Sequence, residues 1–133
     1  MNNINSVLSL DRLVFDKLEF VRKGFQNENE IEFQIEIQVG IGDGKVSKVT
    51  LILKGNKVDE YDLFISLSGY FSFDENEQIE NEQIMTLLNK NAVAILMPYL
   101  RSQASLLTAQ PGMDCVVLPP FNINKMVESE STN

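Results

Sequence analysis

Few side chains in this sequence are equipped for covalent chemistry. There is no histidine and a single cysteine, Cys115, so imidazole-held zinc, Ser-His and Cys-His nucleophiles and an internal disulfide all fall away. Cys115 reads as an ordinary loop thiol with no base to activate it. Six carboxylates lie between Asp62 and Glu82. A metal needs ligands that converge, whereas a solvated face and the capping of a helix explain these charges without convergence. Gly40-Ile-Gly-Asp-Gly44 imitates a phosphate loop, yet it joins two strand patterns and lacks the Gly-Lys-Ser/Thr ending and the helix that would follow. The expectation is a protein that is not an enzyme and needs no cofactor and no metal. What remains is binding by burial of apolar area: Phe64 and Tyr70 sit on the nominally polar side of a strand pattern, where they contact a ligand, cover the sheet against a second subunit or are ordinary scattered surface apolars.

The element that must organise these residues runs from about Ile79 to Gln110. Apolar residues recur at Ile84, Leu87, Leu88, Ala92, Ile95, Leu96, Tyr99, Leu100 and Leu107, the three-and-four spacing of a helix with one buried face. Asp74-Glu-Asn-Glu77 resembles a capping box at its start. Pro98 lacks a backbone donor and should kink the helix or divide it into near-collinear pieces. Gln110-Pro111-Gly112 ends it. The consecutive Pro119 and Pro120 keep Val116 to Pro120 extended and outside any central strand. Asn122 to Val127 then suit a turn or two of helix packed by Ile123 and Met126.

Upstream the pattern is strand. Ile31, Phe33, Ile35, Ile37, Val39 and Ile41 alternate with polar residues or glycine, as a half-buried strand requires. Asp43-Gly44 supplies a hairpin turn, and Val49, Leu51 and Leu53 carry the buried face back. Gly55-Asn56 marks the next turn, which Lys57 to Glu60 lengthen. Leu63, Ile65, Leu67, Gly69, Phe71 and Phe73 then share one face, opposite Asp62, Phe64, Ser66, Ser68, Tyr70 and Ser72. Between Leu10 and Lys23 the alternation is less regular: Val14, Leu18 and Phe20 fall on one side, Leu13, Phe15 and Val21 on the other. A strand apolar on both faces is central or lies at a subunit contact. The fold class expected is α+β: a four-stranded antiparallel sheet packed against a long, proline-interrupted helix and a short C-terminal helix.

A chain of 133 residues is one domain's worth. The expected division is a flexible lead-in over 1–9, a single domain over 10–127 and a disordered acidic tail over 128–133. A net charge of −8 argues against nucleic acid. The longest apolar run, Ala92 to Pro98, is far short of a membrane span, and Met-Asn-Asn-Ile-Asn lacks the features of a signal peptide. No membrane insertion and a cytoplasmic location are expected.

Pro98-Tyr99-Leu100-Arg101, preceded by Ile95-Leu96-Met97 and followed after the helix by Leu118-Pro119-Pro120-Phe121-Asn122, resembles the signature of the SecB family of protein-export chaperones. That family carries a leucine-phenylalanine-proline-tyrosine run in its first helix and a proline-valine-asparagine-phenylalanine run after the next loop. The order of elements agrees over about residues 8 to 127, including the Gly69-Tyr-Phe-Ser-Phe73 strand end. The resemblance implies a homotetramer built as a dimer of dimers, and clients that are non-native polypeptides held in apolar grooves without ATP. It also implies a SecA-type export motor, or in related proteins an antitoxin, as further partner. Transferred to this sequence, the client-binding surface comprises Tyr70, Phe71 and Phe73, then Val117 and Leu118, then Phe121, Ile123 and Met126, with Phe64 beside them. Adaptable Met and Phe side chains suit such promiscuous contact. Two features depart from the family: the C-terminal helix is cut to a few residues without the basic, cysteine-rich tail, and Lys17 stands where an acid is expected, with Asp16 beside it.

Overall fold

The computed structural model describes residues 8–42, 46–73 and 81–119, with the side chain of Asn81 left aside. The Asp43-Gly44 turn, the Asp74 to Glu77 cap and the short helix expected at Asn122 to Val127 lie outside these residues. β1 (Leu8–Arg22), β2 (Ile31–Ile41), β3 (Val46–Lys57) and β4 (Tyr61–Phe73) form one antiparallel sheet in the order β1-β4-β3-β2. β1 begins at Leu8, inside the expected lead-in, and Leu8 is buried.

The irregular alternation in β1 has a physical cause. Register shifts between Leu10 and Arg12 and between Phe15 and Lys17 make Asp11 and Asp16 extra residues relative to β4. Each bulge resets the side-to-side phase of the strand. Leu8, Leu10, Leu13, Phe15, Leu18 and Phe20 therefore stand opposite Phe73, Phe71, Gly69, Leu67, Ile65 and Leu63, all on one face. The grouping of Val14 with Leu18 and Phe20, and of Leu13 and Phe15 with Val21, is corrected by these two bulges. The Asp16 carboxylate accepts a hydrogen bond from the buried Ser68 hydroxyl, which also pairs with Thr50 Oγ1 at 2.8 Å. β1 is an edge strand and not a central one.

The second turn falls later than Gly55-Asn56. Both of those residues are paired within β3, and the turn is Val58 to Glu60. Room is tight at Gly55: a Cβ there would lie 3.1 Å from the Phe33 ring, which would have to give by a few tenths of an ångström. Asp59 takes the left-handed conformation that closes the turn, φ 63°, a region aspartate tolerates better than most side chains.

The helical rod comprises α1 (Asn81–Leu87), a π-helical turn (Leu88–Ala92) and α2 (Val93–Thr108). α2 passes through Pro98 undivided, and the departure from α geometry falls at the π turn instead. There the Asn89 amide donates to the Met85 carbonyl at 2.9 Å, partnering an acceptor near the widened turn. Leu88, Ala92, Val93, Leu96, Leu100 and Ala104 are fully buried against Val49, Leu51, Leu53, Ile65, Leu67 and Phe71. Gly69 opens a slot in this face: a Cβ there would stand 2.7 Å from Leu96 Cδ2 and 2.8 Å from the Phe71 ring. The rod packs chiefly on β3 and β4, with the π turn reaching β2. That position leaves much of β1 uncovered, and Leu18 on the helix side remains exposed, as do Val14 and Val21 on the opposite face. No helix among the described residues is long and apolar enough to cross a membrane.

Candidate functional site

Beyond Thr108 the chain turns at Pro111-Gly112, with Gly112 at φ 77°, and runs back along α2 without joining a strand. Three helix side chains hold it there. Arg101 Nε donates to the Leu118 carbonyl at 3.1 Å, and Ser105 Oγ donates to the Val116 carbonyl at 2.7 Å. Thr108 Oγ1 accepts from the Val116 amide at 2.8 Å while donating to the Ala104 carbonyl at 2.8 Å. These contacts satisfy backbone groups that an unpaired segment would otherwise leave bare. The extended backbone then sends successive side chains to opposite sides. Leu118 is buried in the core at 1% exposure, and Val117 stands out at 77%.

An apolar groove of about 630 Å³ results between the outer side of α2 and this segment. Pro98, Ser102, Leu106 and Ala109 form the helix wall, with Cys115 and Val117 opposite. Leu106 is 68% exposed, a large cost in hydrated apolar surface for a side chain with no packing role of its own. Cys115 is exposed, and its thiol points to the Ser105 carbonyl at 3.4 Å.

Among the described residues, those expected to bind clients do not form one surface. Tyr70 and Phe64 lie half-buried on the sheet face away from the helix, while Phe71 and Phe73 point the other way and are buried. Phe71 belongs to the buried core, whereas Val117 and Leu118 both line the groove, Leu118 from its buried floor. Of the family-motif positions, Pro98 and Arg101 border the groove, Tyr99 is exposed, outside the buried stripe on which its spacing placed it, and Pro119 is exposed just beyond Leu118. Pro120, Phe121, Asn122, Ile123 and Met126 lie outside the described residues. Leu106 was missed. Its signal was legible, since an apolar residue between Ala104 and Leu107 falls off the stripe that buries them.

On the open face each aromatic is covered by a lysine. Lys17 Nζ lies 5.2 Å from the Phe64 ring centroid and Lys48 Nζ 5.6 Å from that of Tyr70. Around Phe64 the cations are paired: Lys17 with Glu19, Lys23 with Asp62 and Lys54 with Glu36. The hydrogen bond from Lys23, aided by Asn56, holds the Asp62 carboxyl below its ordinary range.

A buried ion pair ties the sheet's far end together. Glu60 is fully buried, and its Oε1 accepts from Lys57 Nζ at 2.8 Å and from the Asn27 amide at 2.9 Å. Burial opposes its charge, but the Lys57 and Asn27 hydrogen bonds prevail and keep the carboxyl below its ordinary value. Lys57 also donates to the Asn27 carbonyl at 3.0 Å, anchoring the β1–β2 loop. Next to it, burial and the neighbouring Glu60 and Asp114 charges push the Tyr61 phenol up to about 12. No group of His, Cys, Asp and Glu able to hold a metal occurs among the described residues.

No protein-family model matches the chain. Over 66 residues, 50% of this chain, it is 32% identical to a protein-export protein SecB of Anaplasma phagocytophilum, and the match spans 42% of that protein. A SecB-like chaperone of Mycobacterium tuberculosis, solved in complex with a ChAD peptide from the HigA1 antitoxin, superposes with a TM-score of 0.74. That superposition covers 90% of this chain and 94% of the other at 11% identity, a likeness of fold. A protein of unknown function from Streptococcus agalactiae reaches a TM-score of 0.45 at 16% identity, covering 85% of this chain and 97% of the other, too distant to carry an argument. In fold across nine-tenths of its residues, and in sequence across half of them, the chain is SecB-like.

Proposed function

We propose that this chain is an ATP-independent holding chaperone that binds extended, non-native polypeptide segments in the groove between α2 and the returning segment. The observation that carries the reading is the groove itself: Leu106 and Val117 face each other's side of an apolar channel and are left largely uncovered. Binding, not catalysis, is the activity proposed, and neither nucleotide nor metal takes part. Phe121, Ile123 and Met126 follow this wall in sequence and are proposed to extend it. The fold shared with a chaperone that was solved holding an antitoxin peptide supports the reading.

Assembly through β1 is part of the same proposal. A long edge strand with Val14, Leu18 and Val21 exposed invites pairing with a second copy, and the homotetramer would join several grooves. Joined grooves strengthen a weak single contact, because later contacts become intramolecular. Light scattering should give about four chain masses; a monomer at micromolar concentration contradicts the assembly.

The relative with the bound antitoxin peptide favours a second reading, a chaperone dedicated to one partner, whereas the SecB match favours service to an export motor. Aggregation assays separate them. A general holder suppresses aggregation of several unrelated unfolded proteins at low salt. A dedicated one leaves them unprotected and retains one stoichiometric partner. A protein that does neither is not a chaperone.

A further inference from the structure

We infer that Arg101 makes the groove selective for a carboxylate, so that the segments held best carry an acidic side chain, or the client's own C-terminal carboxylate, close to the apolar residue that meets Leu106. This rests on the reading of the groove as the client site and names which segments that site prefers.

Arg101 lines the groove and is half-buried there. Its Nε is committed to the Leu118 carbonyl at 3.1 Å, a bond that holds the head group beside the groove floor. Among the described residues, Nη1 and Nη2 have no hydrogen-bond partner, and no carboxylate pairs with the group. A guanidinium carries its N–H donors in one rigid plane that matches a carboxylate. With Nε occupied, its two-pronged end remains for an anion.

The groove supplies no anion of its own. Arg101 is the one charged residue of α2, and no acid is among the described residues lining the groove. Between Ala109 and Pro119 the one acid is Asp114, which lines a separate polar cavity with Lys57 and Asn27 and whose charge acts on the Tyr61 phenol. A half-buried cation beside apolar walls is costly until a partner compensates it. In a chain with 19 acids against 11 cations, that partner is missing where the client is held.

The spacing suits an extended client. Leu106 lies five residues beyond Arg101, about 7.5 Å along a helix axis. An extended segment covers that distance in about two residues, and residues two apart share one face. An apolar side chain against Leu106 and Val117 therefore brings a carboxylate two positions away to Arg101. Paired bonds to a carboxylate are stronger than one bond to a neutral amide, and apolar walls strengthen them further. The selection is local, reading one carboxylate beside an apolar residue whatever the net charge of the client.

The test titrates short labelled Ser/Gly peptides with a central Leu into the full chain, by fluorescence anisotropy. One has Glu two residues to either side of the Leu and an amidated end; the second has Gln there and an amidated end; the third has Gln but ends two residues after the Leu in a free carboxylate. Wild type should bind the Glu peptide about tenfold or more tightly than the amidated Gln peptide, the difference shrinking as salt rises. Preference for either carboxylate supports the inference, and the free-ended peptide tells whether a chain terminus serves as well as a side chain. In Arg101→Gln the preference should fall to less than about twofold, whereas Ser105→Ala, which loosens the same segment without changing charge, should keep it. A merely structural Arg101 would lower the affinity for all the peptides alike and leave the preference in place. Where Arg101→Gln loses its fold by circular dichroism, Arg101→Lys decides: a preference smaller than wild type supports the paired guanidinium, and an undiminished one contradicts it. Equal binding of all the peptides by wild type overturns the inference and leaves the groove standing. Failure of all of them to bind overturns it too, and binding of an unfolded client then tells whether the groove reading falls with it.

Discussion

Arg101 reaches from α2 to the carbonyl of Leu118, Nε to oxygen 3.1 Å, across seventeen residues of sequence. With Ser105 and Thr108 it makes one side of the helix a substitute strand edge, giving the returning segment the partners a sheet would have given it. The prolines at 119 and 120 forbid a central strand, so this helix-side pairing is what positions Val117 outward and Leu118 inward.

Arg101→Met therefore strips the buried Leu118 carbonyl of its donor while keeping an apolar stem of similar reach. The expected loss is about 1–3 kcal/mol, read as a shift of the urea midpoint at constant slope. Amides over 113–118 should also exchange faster with solvent. An unchanged midpoint together with unchanged exchange shows that the segment is held by Leu118 packing alone.

Two of the lysine–carboxylate pairs, Lys57–Glu60 and Lys23–Asp62, should differ sharply. Lys57→Met leaves the Glu60 charge buried without its main partner and should cost about 3–5 kcal/mol. Lys23→Ala breaks a shorter contact, 2.6 Å to Asp62, but both side chains are over 40% exposed and solvent-screened, and the cost should be small beside that of Lys57→Met. Adding Glu60→Leu to Lys57→Met should recover most of the first loss. Equal costs for the two single variants contradict this ranking.

How far these features were legible in the sequence depends on whether the relevant signal was local. β2, β3 and β4 followed from strict alternation, and the helix from its buried stripe, because burial on one face writes itself directly into residue spacing. The bulges at Asp11 and Asp16 broke that rule in β1, as nothing in Leu10 to Lys23 states which residue is unpaired. The sheet order put β1 at an edge, which depends on partner strands distant in sequence. Gly55 was read as a turn because glycine punctuates turns, yet it lies inside β3, packed closely against the Phe33 ring. Alternation alone already set Tyr70 against Phe71 and Phe73, so a groove drawn through all three conflicted with the strand that carries them. Leu106 could be found only by asking which apolar residue the helix stripe does not use.

Stability should fall at both ends of the pH range for identifiable reasons. The Glu60 carboxyl is depressed in the fold, so its contribution is intact above the ordinary carboxylate value of 4.5 and is lost as pH falls through the lower folded value. The Tyr61 phenol is raised, so its contribution is intact below 10.0 and is lost as pH rises toward about 12. Tyr61→Phe should flatten the alkaline limb and leave the acid limb in place. Two limbs unaffected by Tyr61→Phe and Glu60→Gln respectively place the titrating groups elsewhere.

The most direct measurement is a titration of a permanently unfolded, moderately basic protein into wild type and into Leu106→Ser with Val117→Ser, at matched oligomer content. Both side chains are largely exposed, so the fold should tolerate the change. Each contributes about 1.5–3 kcal/mol when a client buries it, of which the ordering of the client chain takes back a share. The account predicts binding by wild type and an affinity at least about tenfold lower in the double variant, roughly 1.4 kcal/mol. Equal affinities with an unchanged far-ultraviolet spectrum contradict the groove between α2 and the Val116 to Leu118 segment as the place where this chain holds its clients.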